Sequence, residues 1–223
     1  MSRPRLLDLF CGAGGAAMGY HRAGFDVVGV DIAPQPYYPF EFIQADALKP
    51  PVRMEMFDAI HASPPCQGYT TMSYRWRGSG GLTDERPKLI GPTRELLRST
   101  GLPYIIENVE GARSEMEPTL RLHGGMFGLR VHRPRYFECS FLVLSPVSPR
   151  SRNPLAVYGD KPDGRWLNQR ANGERQYAPA SLEEAQEAMG MGWADWHGTK
   201  EAIPPAYTEF IGRQLIDQLE RAA

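Results

Sequence analysis

Arg5-Leu6-Leu7-Asp8-Leu9-Phe10-Cys11-Gly12-Ala13-Gly14-Gly15 decides the fold: a short apolar run halts at a glycine-rich turn. Residues 16–23 can then be helical until Gly24 stops them, giving strand, glycine turn, helix. Asp26-Val27-Val28-Gly29-Val30 follows as a second β-branched run and ends at Asp31. Phe57-Asp58-Ala59-Ile60-His61-Ala62 is a third, placed before Ser63-Pro64-Pro65-Cys66. Gly91-Pro92 starts a helix carrying Leu96 and Leu97 that ends near Gly101, and Pro103-Tyr104-Ile105-Ile106-Glu107 is the next strand, with Asn108-Val109 at its C-terminal end. Strands repeated with crossovers predict an α/β fold, a mostly parallel sheet with helices on both faces.

Beyond this core the pattern weakens. Arg135-Tyr136-Phe137-Glu138-Cys139 reads as a further strand, paired with an antiparallel neighbour around residues 127–131. Residues 67–91 are polar and glycine-rich, with Tyr69, Tyr74, Arg75, Trp76 and Arg77 interleaved, and are expected to form a long mobile loop. Residues 145–179 are rich in Pro, Gly, Arg and Asn and show little periodicity. Ser181 and Glu184 make a capping-box pattern before a helix that closes at Gly190. Tyr207, Phe210, Ile211, Leu215 and Leu219 share one face of a final helix entered through Pro204-Pro205. The expected division is a catalytic core over 1–144, a small segment over 145–180, and C-terminal helices over 181–223 that complete the core.

At 223 residues and 42% hydrophobic, the chain supports one substantial core with a small appendage. It has no run of eighteen apolar residues and no secretory apolar region near Met1, so a soluble, cytoplasmic protein is expected, as a monomer. Three widely spaced cysteines, Cys11, Cys66 and Cys139, argue against a disulfide framework. The five histidines show no metal-ligand spacing, so no metal is assigned. The net charge of −1 is unevenly spread: −2 over residues 1–66, +6 over 67–180 and −5 over 181–223. A polyanion docking on the middle of the chain fits that distribution.

Three constellations carry chemistry. At the glycine turn, backbone and helix N-terminus are open to a ligand. Asp31 ends the second strand where a ribose would sit in such a sheet, and Asp46 is placed to meet an adenine amino group, so turn and acids together favour an adenosyl cofactor. Pro64-Pro65-Cys66-Gln67 ends a strand at the sheet edge where ligands bind, putting a thiol where it can ionise and attack. Glu107-Asn108-Val109 ends another, and a partly buried carboxyl there can hold a proton and act as a general acid. Cysteine and glutamate with no matched histidine do not make a protease-like dyad.

Asp-Leu-Phe-Cys-Gly-Ala-Gly-Gly, Pro-Pro-Cys-Gln, Glu-Asn-Val and Arg133-Pro134-Arg135, in this order over residues 5–137, resemble the cytosine carbon-5 methyltransferase family. Weaker matches at residues 184–190 and 202–205 extend the resemblance over nearly all the chain, and the short length and ending look most like phage or prophage members. The resemblance implies a Rossmann-like S-adenosylmethionine-dependent fold with a much reduced target-recognition region. It implies methyl transfer to carbon 5 of a flipped cytosine in double-stranded DNA, with S-adenosylhomocysteine as product. By position, Phe10 would stack on adenine, Asp31 would bind the ribose and Asp46 the adenine amino group, with Gly12, Gly14, Ile32 and Pro65 completing the cofactor site. Cys66 would be the nucleophile, Glu107 would protonate ring N3, and Arg133 and Arg135 would orient the catalytic groups and the base. Asn108, Gln67 and Thr70 would shape the substrate side, with Arg75 and Arg77 on phosphates. A bacterial host cell or its nucleoid is the implied location. An RNA-modifying relative and a catalytically silent nucleic-acid binder are the alternatives. Two departures stand out: Val131 replaces the Gln that opens the arginine motif, and Lys200-Glu201 replaces Gly-Asn in the closing motif.

Overall fold

The protein, seen as a computed structural model, is described over residues 3–69, 87–147, 149, 154–169 and 175–222. The predicted strand, turn and helix form as β1 (Arg5–Leu9), α1 (Gly15–Ala23) and β2 (Asp26–Asp31). Then come β3 (Glu41–Gln44), β4 (Ala59–Ala62), α2 (Ile90–Thr100), β5 (Tyr104–Asn108), β6 (Thr119–Leu122) and β7 (Arg135–Cys139). A hairpin of β8 (Trp166–Gln169) and β9 (Arg175–Tyr177) precedes α3 (Leu182–Met189), α4 (Trp196–Glu201) and α5 (Pro205–Ala222).

The seven-stranded sheet has the order β3-β2-β1-β4-β5-β7-β6. β1 to β5 pair in parallel, while β7 runs antiparallel to both β5 and β6. Strand order reverses between β1 and β4, which opens a crevice at their C-terminal ends. Leu9 sits level with Val30 on one side and Ala62 on the other, so the loops leaving β1, β2 and β4 emerge at one edge. The structure matches the mostly parallel α/β expectation, with helices on both faces.

Alternation along β1 divides the core. Leu6 faces α1 and α5 with Val27, Ala59, Ile105, Tyr207 and Ile211. Leu7 and Leu9 face the other way, with Ile60, Ile106 and Leu97 of α2. The α1 and α5 backbones approach closely because α1 presents glycine: a Cβ on Gly19 would stand 2.0 Å from Thr208 Oγ1 and 2.2 Å from the Pro205 carbonyl. Thr208 Oγ1 instead donates to the Ala16 carbonyl at 2.8 Å. This docking carries residues 197–203 to the sheet edge where the site lies.

Some expectations need correction. The antiparallel neighbour of β7 on its outer side is β6, not residues 127–131; Gly124–Phe127 instead forms a 3-10 turn, and Val131 makes a single bridge to Leu155. Val131 is 1% exposed among Ala185, Ala188 and Met189, so its apolar side chain is a core contact. β3, α4 and the β8–β9 hairpin were not expected. The capping box is present, with Ser181 Oγ accepting from the Glu184 amide at 3.2 Å, and Glu184 reaches the Ala180 amide at 2.7 Å. The expected mobile loop falls mainly on residues 70–86, outside the described residues.

Candidate active site

A cavity of about 440 Å³ opens at the C-terminal edge of β1, β2, β4 and β5. Its wall joins Phe10, Gly12, Asp31, Ile32, Asp46 and Pro65 to Cys66, Gln67, Glu107, Asn108 and Arg135. Among the described residues, the predicted cofactor and chemical residues other than Gly14 and Arg133 therefore face one space.

The nucleotide-side wall is set by backbone geometry. Phe10 and Arg133 are the two non-glycine residues with positive φ among those described, at 56° and 35°. Such strain persists where surrounding structure imposes it, often at functional sites. Gly12 has φ 49° and nothing within 4 Å of where a Cβ would stand, so the cavity meets bare backbone there. Asp31 Oδ2 accepts from the Gly12 amide at 3.0 Å and Oδ1 from Ala33 at 3.0 Å, fixing the turn against the end of β2. Asp46 Oδ1 accepts from the Leu48 amide at 2.9 Å.

Gly14 is a correction, because it is not on the cavity wall. It caps α1 with φ 81°, and a Cβ there would stand 2.8 Å from Pro39 Cδ. Its lack of a side chain serves packing against Tyr38 and Pro39. Thr70, Arg75 and Arg77 lie outside the described residues.

Asn108, buried and last in β5, holds the nucleophile loop. Its Nδ2 donates to the Pro64 carbonyl at 2.9 Å, while its Oδ1 accepts from the Val109 amide at 2.9 Å. Cys66 follows Pro65, half-buried, and its carbonyl closes a turn with the Tyr69 amide at 2.9 Å. Burial pushes the thiol up; Arg135 draws it down, while Glu107 and Glu201 push it up again. The resting sulfur is thus favoured as a thiol over a thiolate.

Glu107 is 5% exposed, and its Oε1 lies 3.0 Å from Arg135 Nε without meeting hydrogen-bond geometry. Burial raises its pKa, opposed by Arg135, by a hydrogen bond from Ser63 and by Arg133. A carboxyl so balanced can hold a proton and release it. Arg133, by contrast, touches neither Glu107 nor Cys66. Its guanidinium donates to the carbonyls of Ala202 at 2.8 Å, Val157 at 3.1 Å and Lys200 at 2.5 Å. Burial lowers its pKa to about 9. Arg133 is a strut that ties the entry of β7 to the segment before α5.

Sequence reasoning passed over several wall residues. His197, Gly198, Glu201, Ala202 and Ile203 line the cavity from α4 and the turn after it. Lys200 points elsewhere, donating to the Gly159 carbonyl at 3.2 Å, so of the departing Lys-Glu pair it is Glu201 that meets the cavity. Asp8 lines it too, fully buried, with neither carboxylate oxygen hydrogen-bonded. Its signal was an acid inside an apolar run. Burial, then Asp31, raises the Asp8 pKa well above normal. A raised folded-state pKa contributes stability that is present below the unfolded value and lost as pH rises through the folded one. Asp8→Asn should therefore hold its melting temperature while the parent's falls as pH rises above the ordinary carboxylate range, by about 2–4 °C for each kcal/mol relieved. Differential scanning fluorimetry checks this, and parallel curves for the two proteins would refute it.

Among the described residues no group of three or more His, Cys, Asp or Glu side chains is arranged to hold a metal ion, and no helix is long and apolar enough to cross a membrane.

Residues 4–121 match the family model described as C-5 cytosine-specific DNA methylase. Type II methyltransferase M.XorII of Xanthomonas oryzae pv. oryzae is 30% identical over 129 residues, covering 50% of this chain and 29% of that protein. Type II methyltransferase M.HgiDI of Herpetosiphon aurantiacus is 28% identical over 123 residues, covering 49% and 38%. The matched region thus spans less than two fifths of either relative's length. Among solved structures, a DNA modification methyltransferase encoded within an E. coli prophage superposes with a TM-score of 0.63 at 17% identity, over 97% of this chain and 99% of that one. S. pombe Dnmt2 methyltransferase gives 0.59 at 13% identity, over 97% and 99%, and Entamoeba histolytica EhMeth gives 0.61 at 10%, over 98% and 99%. At these identities the likeness is one of fold.

Proposed function

Since the chain belongs to the C-5 cytosine-specific DNA methylase family, we propose that it methylates carbon 5 of cytosine in double-stranded DNA, with S-adenosylmethionine as donor and Cys66 as nucleophile. The observation that carries this reading is the single cavity in which Phe10, Gly12, Asp31 and Asp46 meet Cys66, Glu107 and Arg135. The donor's requirements fit the wall: open backbone at Gly12, carboxylates at Asp31 and Asp46, and an unpartnered buried acid at Asp8. When bound, S-adenosylmethionine supplies an electrophilic methyl group on a sulfonium.

Carbon 5 of cytosine is a poor nucleophile. Cys66 gives its proton to water and its sulfur bonds to carbon 6, pushing the ring's double-bond electrons toward carbon 5 and N3. Glu107 meets the charge that develops by giving its proton to N3, and Arg135 offsets the carboxylate that results. Carbon 5 is then electron-rich enough to take a methyl group. A water molecule takes the carbon-5 proton, Cys66 departs as thiolate with the double bond restored, and N3 returns its proton to Glu107. These carbons lie inside a stacked duplex, so the base must be turned out to reach the cavity. Residues 67–91, with Thr70, Arg75 and Arg77, are the candidate clamp on the displaced strand. Residues 145–180 leave room to read a target of only roughly two to three base pairs, since each specific pair needs its own side-chain contacts.

Incubation with donor labelled on the methyl group, offered DNA or tRNA, tests the substrate class, and label confined to DNA is expected. A duplex containing 5-fluorocytosine should trap a covalent adduct on Cys66, since fluorine cannot leave as a proton does. Label appearing only in tRNA, or no adduct with either polymer, would overturn the reading. Bisulfite sequencing of DNA from expressing cells tests target length, and a strict six-base-pair target would refute the short one.

A further inference from the structure

One buried titratable group plays no part in the scheme above. His61, in β4, is fully buried, as is Tyr20 of α1. Tyr20 Oη lies 3.0 Å from His61 Nδ1, and His61 Nε2 lies 2.9 Å from Ser63 Oγ. Ser63, next after the Ala62–Ile106 pair of β4 and β5, stands level with Glu107 and lines the cavity with it, and its hydroxyl is among the influences that hold the Glu107 carboxyl down. Four side chains thus connect α1 to the carboxyl group at the end of β5.

The direction of the chain follows from counting protons. The Tyr20 hydroxyl has one hydrogen-bond partner among the described residues, His61, and a buried phenol proton left without an acceptor is costly. Tyr20 therefore donates, and Nδ1 of His61 accepts. Burial lowers the His61 pKa to about 3, so the ring is neutral and carries its one proton on Nε2. Nε2 then donates to Ser63 Oγ, and the Ser63 hydroxyl proton is left for Glu107. The opposite direction would turn the Ser63 proton back toward His61 and strand the Tyr20 proton in the core.

We propose that Tyr20, His61 and Ser63 form a one-way hydrogen-bond chain that turns the Ser63 hydroxyl proton onto Glu107 and so positions this carboxyl group. A donor of fixed direction favours the carboxylate and opposes the burial around it. The other groups facing Glu107 are Arg135 and Arg133 from β7 and its approach, Cys66 from the loop after β4, and Tyr207 from α5. The chain adds a neutral, permanently oriented dipole to those charges. What Glu107 does with its proton rests on the methyltransferase reading; the direction of the chain does not.

The test is a pH titration of protein labelled with 13C at glutamate carboxyls, the Glu107 signal being identified by its loss in Glu107→Gln. Ser63→Ala should move the Glu107 midpoint upward by about one pH unit, a tenfold change in its acid constant. Tyr20→Phe, which leaves His61 free to reverse, should move it upward by less, and Ser63→Thr should restore the parent value. In methyl transfer, the alkaline limb of the kcat profile should move upward with the midpoint while KM for DNA stays put. Midpoints unchanged in both Ser63→Ala and Tyr20→Phe, in proteins that still melt cooperatively, would overturn the proposal. If Ser63→Ala does not fold, Tyr20→Phe alone decides. If the midpoints move as stated yet no protein transfers methyl groups, the chain stands and the proposed reaction falls.

Discussion

Cys66→Ala is expected to transfer methyl groups at least about 10⁴-fold more slowly than the parent while binding S-adenosylmethionine with unchanged affinity. Among the described residues of the cavity wall Cys66 is the more exposed of the two thiols, Cys11 being buried, and without the addition carbon 5 has no means of attacking an alkylating agent. The donor side of the cavity is built from other residues, Phe10, Gly12, Asp31 and Asp46, whose positions depend on β1 and β2. Single-turnover transfer of labelled methyl, paired with calorimetric titration of the donor, separates the two functions. A variant that methylates at the parental rate would remove Cys66 from the mechanism. A variant that loses donor binding instead would recast it as a cofactor contact.

Glu107→Gln should act in opposite directions on two measurements. Methyl transfer should fall by about 10²- to 10⁴-fold, the usual loss when a positioned acid is removed. Alkylation of Cys66 by iodoacetamide near neutral pH should become faster, because the Glu107 charge is one of the influences that push the thiol up. Removing a negative neighbour lowers the thiol pKa and enlarges the thiolate fraction. Arg135→Ala should do the reverse to alkylation, since Arg135 is the largest of the influences that draw the thiol down. If Glu107→Gln slows both reactions alike, the coupling between the two groups is not the one described. Thermal melts are needed beside both, because Glu107→Gln leaves the Arg135 guanidinium without its charge partner.

The first half of the fold was legible because its signals are local. An apolar run, a glycine turn and a helix closed by Gly24 need no distant partner to be recognised, and they place Phe10, Gly12 and Asp31 at one edge. Pairings made across long loops were not legible in the same way. The Glu41–Gln44 strand is four residues long and only half covered, so it carries no alternating signature. The antiparallel partner of β7 was expected around residues 127–131 and is β6 instead, a pairing that no local signal near β7 specifies. Orientation within a motif was hidden as well. Gly12 and Gly14 share a turn but face the cavity and Pro39 respectively, and Arg133 and Arg135 share a motif but serve backbone carbonyls and Glu107. The positive φ at Arg133 is announced by no residue type. Asp8 was visible as an acid in an apolar strand, but its unpaired oxygens could be known only from coordinates.

Helices α1 and α5 lie against each other with almost nothing between them at Gly19 and Thr208, and the turn entering α5 supplies part of the cavity wall. A ribosome making this protein therefore releases the glycine loop well before it can complete the pocket, which waits until residues near 203 have emerged. Nascent chains and prematurely terminated products that stop short of these residues lack that part of the wall, whatever motifs they already display. Two fragments cut between β9 and α3 would have to reassociate through that same glycine-faced seam before any chemistry could begin.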